Sequence, residues 1–97
     1  MKAGEVFAGR FRIDEPLGEG GVGRVFRALD QRTGLIIALK CLRPEYARDT
    51  RIRRRFRREA RAALRLKHPH IVQVYDISRE SDDVPFIAME LIDGLSL

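Results

Sequence analysis

The chain has 97 residues, of which 44% are hydrophobic and 34% are charged, so we expect one small soluble domain with a single core. No apolar run approaches the roughly 20 residues that a membrane-spanning helix needs, and the single cysteine, Cys41, excludes an internal disulfide. The N-terminus lacks an apolar signal segment, and we therefore predict a cytoplasmic protein with no membrane segment in this chain and no metal site.

The net charge of +5 is concentrated in one segment of the chain. Residues 48–67 contain ten lysine or arginine residues and two acidic ones, which gives this segment a balance of +8. The other 77 residues carry nine basic and twelve acidic residues. The basic segment therefore requires its own explanation, separate from the average charge of the protein.

The first half of the chain predicts three antiparallel strands. Apolar residues alternate over 11–19 and again over 24–30, and residues 35–42 form an apolar run that only Lys40 interrupts. The segment between the last two strands has the composition of a turn, with Gly34 at a position that requires a positive φ. Because the connections are short, we expect neighbouring strands to pair as a meander.

The arginine-rich segment predicts one helix over about residues 50–67. Asp49 or Thr50 can cap its N-terminus with a side-chain oxygen. The helix ends at His68-Pro69, because the residue before a proline is pushed out of the helical region.

Two further strands follow the helix. Residues 71–77 alternate between apolar and polar side chains, and residues 85–91 form a mainly apolar run. The predicted fold class is therefore α+β, with a five-stranded antiparallel sheet and one helix between the third and fourth strands.

A glycine-rich stretch lies between the first two predicted strands. Its glycines are Gly18, Gly20, Gly21 and Gly23. Glycine lets a backbone approach phosphate groups closely, so this stretch is typical of a phosphate-binding loop. A dinucleotide-binding fold uses the same spacing, but there the glycines open a helix. Because residues 25–29 predict a strand, we expect a hairpin tip and exclude that fold.

One acidic residue breaks the pattern of the helix. On a helical wheel the apolar residues share one stripe, formed by Ile52, Phe56, Ala60, Ala63 and Leu66. Glu59 lies within this stripe, and a carboxylate turned toward a core is costly unless it meets a cation. Lys40 is the only cation embedded in an apolar strand, so we predict an ion pair between Lys40 and Glu59. The alternative is a pair between Glu59 and Arg55 or Arg58 on the same helix.

The opposite face of the helix is rich in arginine. It carries Arg53, Arg54, Arg55, Arg57, Arg58, Arg61 and Arg65. A solvated helix face is the simplest interpretation, with the long side-chain stems covering some apolar surface. A surface for nucleic acid or another anion is the less favoured alternative, because polar and aromatic contacts to bases are missing.

In combination, these elements resemble the N-terminal lobe of the bacterial eukaryotic-like (Hanks-type) serine/threonine protein kinases. The family's G-x-G-x-x-G-x-V pattern stands here as Gly18, Gly20, Gly23 and Val25. Its V-A-I-K pattern stands as Ile37-Ala38-Leu39-Lys40. A glycine motif alone is weak evidence, whereas several elements in the family's order are specific.

Three further elements of this family follow in the same order. Glu59 stands at the position of the helix glutamate, residues 68–71 match the His-Pro-x-Ile element, and residues 86–94 look like the last strand and the hinge. The resemblance implies an N-terminal extension over residues 1–10, a kinase N-lobe over 11–91 and the start of a hinge over 92–97, with the second lobe absent.

The resemblance implies that ATP is the cofactor. Backbone N–H groups of residues 20–23 would cover its phosphates, Lys40 would bind the α- and β-phosphates, and Glu59 would hold Lys40 in place. The carbonyl of Glu90 and the N–H of Ile92 would bond the edge of the adenine. The whole implied ATP-binding set is Leu17, Gly18, Glu19, Gly20, Gly21, Val22, Gly23, Val25, Ala38, Lys40, Met89, Glu90 and Ile92.

The groups that perform phosphoryl transfer in this family are missing from the sequence. The catalytic base lies in an H-R-D-x-x-x-x-N motif and a metal ligand in a D-F-G motif, and neither motif occurs in these 97 residues. We therefore expect Mg²⁺ and a protein substrate only in the full-length kinase, and no turnover by this chain alone.

Two other functions stay open at this point. The lobe could act as a binding or regulatory module for a partner protein, or its arginine-rich helix could bind an anion or nucleic acid. An apolar patch around the hinge also predicts a homodimer or swapped assembly. Its members are Met89, Leu91, Ile92, Leu95 and Leu97.

Overall fold

The computed structural model describes residues 1–65, 73–79 and 83–91. In these ranges the chain forms six strands, a short 3-10 turn at Pro44–Tyr46 and one α-helix. The elements are β1 (Val6–Phe7), β2 (Phe11–Gly20), β3 (Gly23–Asp30), β4 (Leu35–Leu42), α1 (Thr50–Arg65), β5 (Val74–Ile77) and β6 (Phe86–Glu90). The strands form one antiparallel sheet in the order β1-β2-β3-β4-β6-β5, which confirms the predicted α+β class.

The predicted number of strands was wrong, because the sheet has six strands rather than five. The additional strand, β1, lies within the segment that we expected to be an N-terminal extension, and it pairs with the start of β2. The N–H of Gly4 donates to the carbonyl of Ile13 at 2.8 Å and prolongs this contact. A strand of two residues is too short to show alternation, so the sequence pattern could not reveal it.

The helix begins where the sequence predicted. The carboxylate of Asp49 accepts hydrogen bonds from the N–H groups of Arg51 at 3.0 Å and Ile52 at 3.2 Å, so Asp49 rather than Thr50 is the capping residue. The predicted end of the helix at His68-Pro69 lies outside the described residues. No helix within those described ranges is long and apolar enough to span a membrane.

The two faces of the sheet carry separate apolar clusters. The larger cluster contains alternate residues of β4, Ile37, Leu39 and Cys41, together with side chains from β2, β3 and β6. The second cluster joins Leu42 of β4 to Phe56 and Ala60 of α1. The helix therefore packs on one face of the sheet, and it is the face toward which Ala38 and Lys40 project by strand alternation.

An ion cluster around the buried Asp30 ties distant parts of the sheet together. Asp30, at the end of β3, has a side chain only 3% exposed, and it accepts two hydrogen bonds from Arg10, at 2.9 Å from Nε and 2.7 Å from Nη2. Arg10 also donates to the carboxylate of Asp76 on β5 and lies over the ring of Phe11. Hydrogen bonding from Arg10 lowers the pKa of Asp30 to about 2, against the opposing effect of burial.

Candidate functional site

The register of the central strands places four of the predicted site residues on one face of the sheet. Lys40 lies opposite Val25 of β3 and opposite Ile87 of β6. Ala38, two residues earlier on the same strand, lies opposite Met89. Because alternate residues of a strand share a face and paired residues lie side by side, Val25, Ala38, Lys40 and Met89 form one continuous patch.

The flanking residues of the predicted adenine site lie on the neighbouring strands. Leu17 is partly buried and lies at an irregularity of β2, between Pro16 and Gly18. Glu90, at the end of β6, donates its N–H to the carbonyl of Gln73 at 2.8 Å. The predicted contact from the N–H of Ile92 lies outside the described residues.

The glycine-rich stretch forms the tip of the β2–β3 hairpin. Gly20 and Gly23 are the last paired residues of the hairpin. Gly21 takes a φ of +57°, a backbone conformation that residues other than glycine rarely adopt. The carbonyl of Val22 accepts a hydrogen bond from the N–H of Arg43 at 2.8 Å. The tip is therefore folded down onto the end of β4, and the expected hairpin setting is confirmed.

Gly23 lies directly against the side chain of Lys40. A Cβ atom on Gly23 would lie 3.1 Å from Cε and 3.7 Å from Cγ of Lys40. Gly23 is itself buried. The missing side chain of Gly23 therefore provides the space in which the lysine stem runs, a role that the glycine spacing in the sequence did not reveal.

A cavity of about 360 Å³ lies between the hairpin tip and the first turns of α1. It is lined by Gly20, Gly21, Val22, Gly23, Lys40, Ile52, Arg55, Phe56 and Glu59. The side chain of Lys40 makes no hydrogen bond or ion pair with any described residue. A lysine ammonium with three free donors at the wall of a cavity can hold an anion there.

The predicted ion pair between Lys40 and Glu59 is not formed in this structure. Nε of Arg55 lies 3.3 Å from Oε1 of Glu59, and their side chains are 81% and 65% exposed. The alternative partner on the same helix is therefore the observed one. Glu59 lies at the rim of the apolar stripe, where a partner four residues earlier is within reach and the carboxylate stays hydrated.

The cavity nevertheless brings the two predicted partners to the same place. Lys40 enters it from the sheet and Glu59 from the helix. The helical wheel located Glu59 on the correct side of the helix but could not say whether its side chain would turn inward. Arg55 was predicted to lie on the arginine-rich face or to pair with Glu59, and its place in the cavity wall was missed.

A curled antiparallel sheet, a single helix packed on one face and a glycine hairpin beside a strand lysine define the N-terminal lobe of a protein kinase. The sequence matches the protein kinase domain family over residues 11–97. This chain belongs to the protein kinase domain family.

Its relatives are bacterial serine/threonine protein kinases. It is 42% identical over 97 residues to the serine/threonine-protein kinase PrkC of Bacillus subtilis, covering all of this chain and 15% of that protein. It is 42% identical over 94 residues to the serine/threonine-protein kinase pkn3 of Myxococcus xanthus, covering 97% of this chain and 17% of that protein.

Solved structures show the same likeness. The kinase domain of Mycobacterium tuberculosis PknI superposes with a TM-score of 0.74 at 39% identity, covering 98% of this chain and 37% of that one. The 97 residues therefore correspond to part of a kinase domain and to about a sixth of the length of the curated relatives.

Proposed function

We propose that this chain binds ATP on the sheet face around Lys40 and is the nucleotide-binding lobe of a serine/threonine protein kinase. The observation that carries the proposal is the position of Lys40. Its side chain lines the cavity beneath the glycine hairpin and has no partner among the described residues. A cation in that position lacks only an anionic ligand.

The residues around the cavity fit a nucleotide. Phosphate groups are held by cations and by backbone N–H groups at glycine-rich turns, and this cavity presents Lys40 beside residues 20–23. A purine ring requires a flat apolar surface, and Val25, Ala38 and Met89 lie side by side on the same face. The phosphate end and the purine end of the site therefore adjoin.

Each residue then has a separate task. ATP supplies the γ-phosphoryl group that a complete kinase transfers to a serine or threonine hydroxyl. Lys40 holds the α- and β-phosphates with charge-assisted hydrogen bonds, and the hairpin excludes water above them. Glu59 fixes Lys40 only after leaving Arg55, so the binding of Glu59 to Lys40 is a rearrangement at the cavity wall. We expect transfer itself to require the base and Mg²⁺ ligands of a longer protein.

The proposal is tested by calorimetric titration of the chain with ATP, with Lys40→Met and Lys2→Met as paired variants. Lys2 is exposed, and it does not line the cavity around Lys40. We expect weak binding by the wild type, the same affinity in Lys2→Met, and a loss of about tenfold or more in Lys40→Met, since a charge-assisted contact is removed. Equal affinities in all three proteins would contradict the assignment of Lys40.

We also propose that the apolar patch around Met89 and Leu91, next to the predicted hinge, supports weak self-association. Met89 and Leu91 are partly exposed at the end of β6 and beyond it, and apolar side chains at a surface favour association. Sedimentation velocity over a series of protein concentrations measures this, and Leu91→Glu should reduce the dimer fraction. A concentration-independent monomer would remove this part of the proposal.

A further inference from the structure

Four arginines form a straight row on the outer side of α1. Arg51, Arg54, Arg58 and Arg61 are all exposed. At about 100° per residue they fall within an arc of roughly 80°, and at about 1.5 Å per residue the row is roughly 15 Å long. Phe56, which packs on the sheet, projects from the opposite side of the helix. The row therefore faces away from both the sheet and the cavity.

The arginines of this row have no acidic partner among the described residues. The one acid in the described part of α1 is Glu59, and its carboxylate is paired with Arg55 outside the row. The side chains of the row make no hydrogen bond or ion pair with described residues. By contrast, Arg53 at the side of the helix donates to the carbonyls of Ala47 and Asp83, at 2.7 and 2.8 Å.

Such a row opposes the formation of the helix that carries it. Like charges three or four residues apart on a helix repel one another, and Arg54, Arg58 and Arg61 stand at those spacings. Solubility does not explain a row of like charges, because a surface with interspersed charges of both signs is equally soluble. An anionic partner along the row would remove the repulsion.

We propose that the row of Arg51, Arg54, Arg58 and Arg61 is a docking surface for an acidic segment of a protein partner. The row consists of arginine only, and α1 contains no lysine. The planar guanidinium group of arginine can donate two parallel hydrogen bonds to one carboxylate. A diffuse anionic surface does not need this geometry and would bind lysine equally well. The arginines of the row follow one another at intervals of three and four residues. Glutamates at the same intervals on a partner helix would also lie along one face, so each could meet an arginine.

The chemistry of the surroundings favours a protein segment over a membrane. Helices that lie in a bilayer interface insert aromatic or leucine side chains, but the apolar face of α1 is buried against the sheet. The exposed residues among positions 51–62 are arginines, Glu59 and Ala62. Among the residues that the structure describes, no side chain beside the row could enter the acyl region.

Nucleic acid fits less well than a short acidic segment. Base recognition uses polar and aromatic side chains, but in the described part of α1 the row has no aromatic neighbour and a single uncharged polar one, Thr50. Outside residues 48–67 the chain carries nine basic and twelve acidic residues, so a long polyanion would meet net negative charge beyond the helix. A short segment confined to the row avoids that repulsion.

The test compares two variants of equal charge. In the row variant Arg54, Arg58 and Arg61 are changed to alanine, and in the control variant Lys2, Arg12 and Arg32, which are exposed and lie outside α1, are changed to alanine. The probe is a fluorescein-labelled alanine-based peptide of about 16 residues, long enough to span the row as a helix, with glutamates three and four residues apart. Fluorescence anisotropy measures its binding to each protein.

We expect the wild type and the control variant to bind the peptide equally and the row variant to bind about tenfold or more weakly, since three exposed ion pairs are lost together. Binding by the wild type should also weaken as salt is added. Circular dichroism shows whether the variants fold, and the row variant should be at least as stable as the wild type at low salt because repulsion has been removed.

Three results would overturn the proposal. The row variant could bind as tightly as the wild type, or the control variant could lose as much affinity, which would mean that only net charge matters. The wild type could instead bind phosphatidylglycerol vesicles or duplex DNA and not the peptide. Because no nucleotide enters the assay, its outcome is independent of the proposed ATP site.

Discussion

The side chain of Lys40 on β4 runs over Gly23 on β3, and the lysine stem takes up the space that a side chain on Gly23 would need. A Cβ atom there would lie 3.1 Å from Cε of Lys40, closer than ordinary van der Waals contact. The glycine motif and the strand lysine, about 17 residues apart in the chain, are therefore one packing unit.

Gly23→Ala should displace the side chain of Lys40 while leaving the fold intact. Gly23 does not have a positive φ, so alanine is tolerated by the backbone, and we expect the free energy of unfolding to change by no more than about 1 kcal/mol. NMR of lysine labelled at the ε-carbon should show a shifted Lys40 resonance. The matched variant is Gly20→Ala, whose added Cβ would meet nothing within 4 Å, and it should leave that resonance unchanged. Shifts of equal size in both variants would indicate a change in the whole hairpin rather than this contact.

A second prediction concerns the partner of Glu59. A double-mutant cycle with Arg55→Ala and Glu59→Ala, measured by urea unfolding, should give a coupling of about 0.3–0.5 kcal/mol, the usual value for an exposed pair four residues apart. A second cycle with Lys40→Met and Glu59→Ala should give a coupling near zero without nucleotide. The first coupling should fall in high salt because both side chains are largely exposed. Coupling between Lys40 and Glu59 larger than that between Arg55 and Glu59 would mean that the inward pair predominates in solution.

A third prediction follows from the ion cluster around Asp30. Its folded-state pKa is lowered from 3.8 to about 2, chiefly by hydrogen bonding from Arg10. The stabilising contribution is therefore complete above pH 4 and is lost as the pH falls toward 2. At about 1.4 kcal/mol per pKa unit, the contribution is roughly 2 kcal/mol.

Urea unfolding at a series of pH values between 5 and 2 measures this effect. Asp30→Asn should be less stable than the wild type at pH 7 and should lose less stability between pH 4 and pH 2. Asp14→Asn serves as the control, because the side chain of Asp14 is 60% exposed on the same sheet, and it should keep the wild-type pH dependence. A wild-type pH dependence in Asp30→Asn would show that other carboxylates cause the acid sensitivity.

Local sequence patterns were sufficient for the main elements and their order. Alternation over residues 11–19 and 24–30 predicted β2 and β3, and the apolar run broken by Lys40 predicted β4. The glycines could be placed at a hairpin tip because the residues after them predict a strand. Each of these inferences depends on neighbours within a few positions, where the backbone period decides which side chains share a face.

Contacts between distant positions could not be predicted in the same way. Arg10 and Asp76 are 66 positions apart, and nothing near either residue indicates the other. The preference of Glu59 for Arg55 was equally hidden, because a helical wheel gives the angle of a residue but not the rotamer or hydration of its side chain.

The sequence by itself determined the family and the fold class and named the residues of the proposed nucleotide site, since these follow from periodicity, glycine positions and motif order. Only the tertiary structure decided which of those residues touch. It placed the stem of Lys40 against Gly23, paired Glu59 with Arg55, and left a row of arginines without a described partner. The physical reason is that pairing depends on the register of strands and the seating of α1 on the sheet, and both are set by packing across the whole fold.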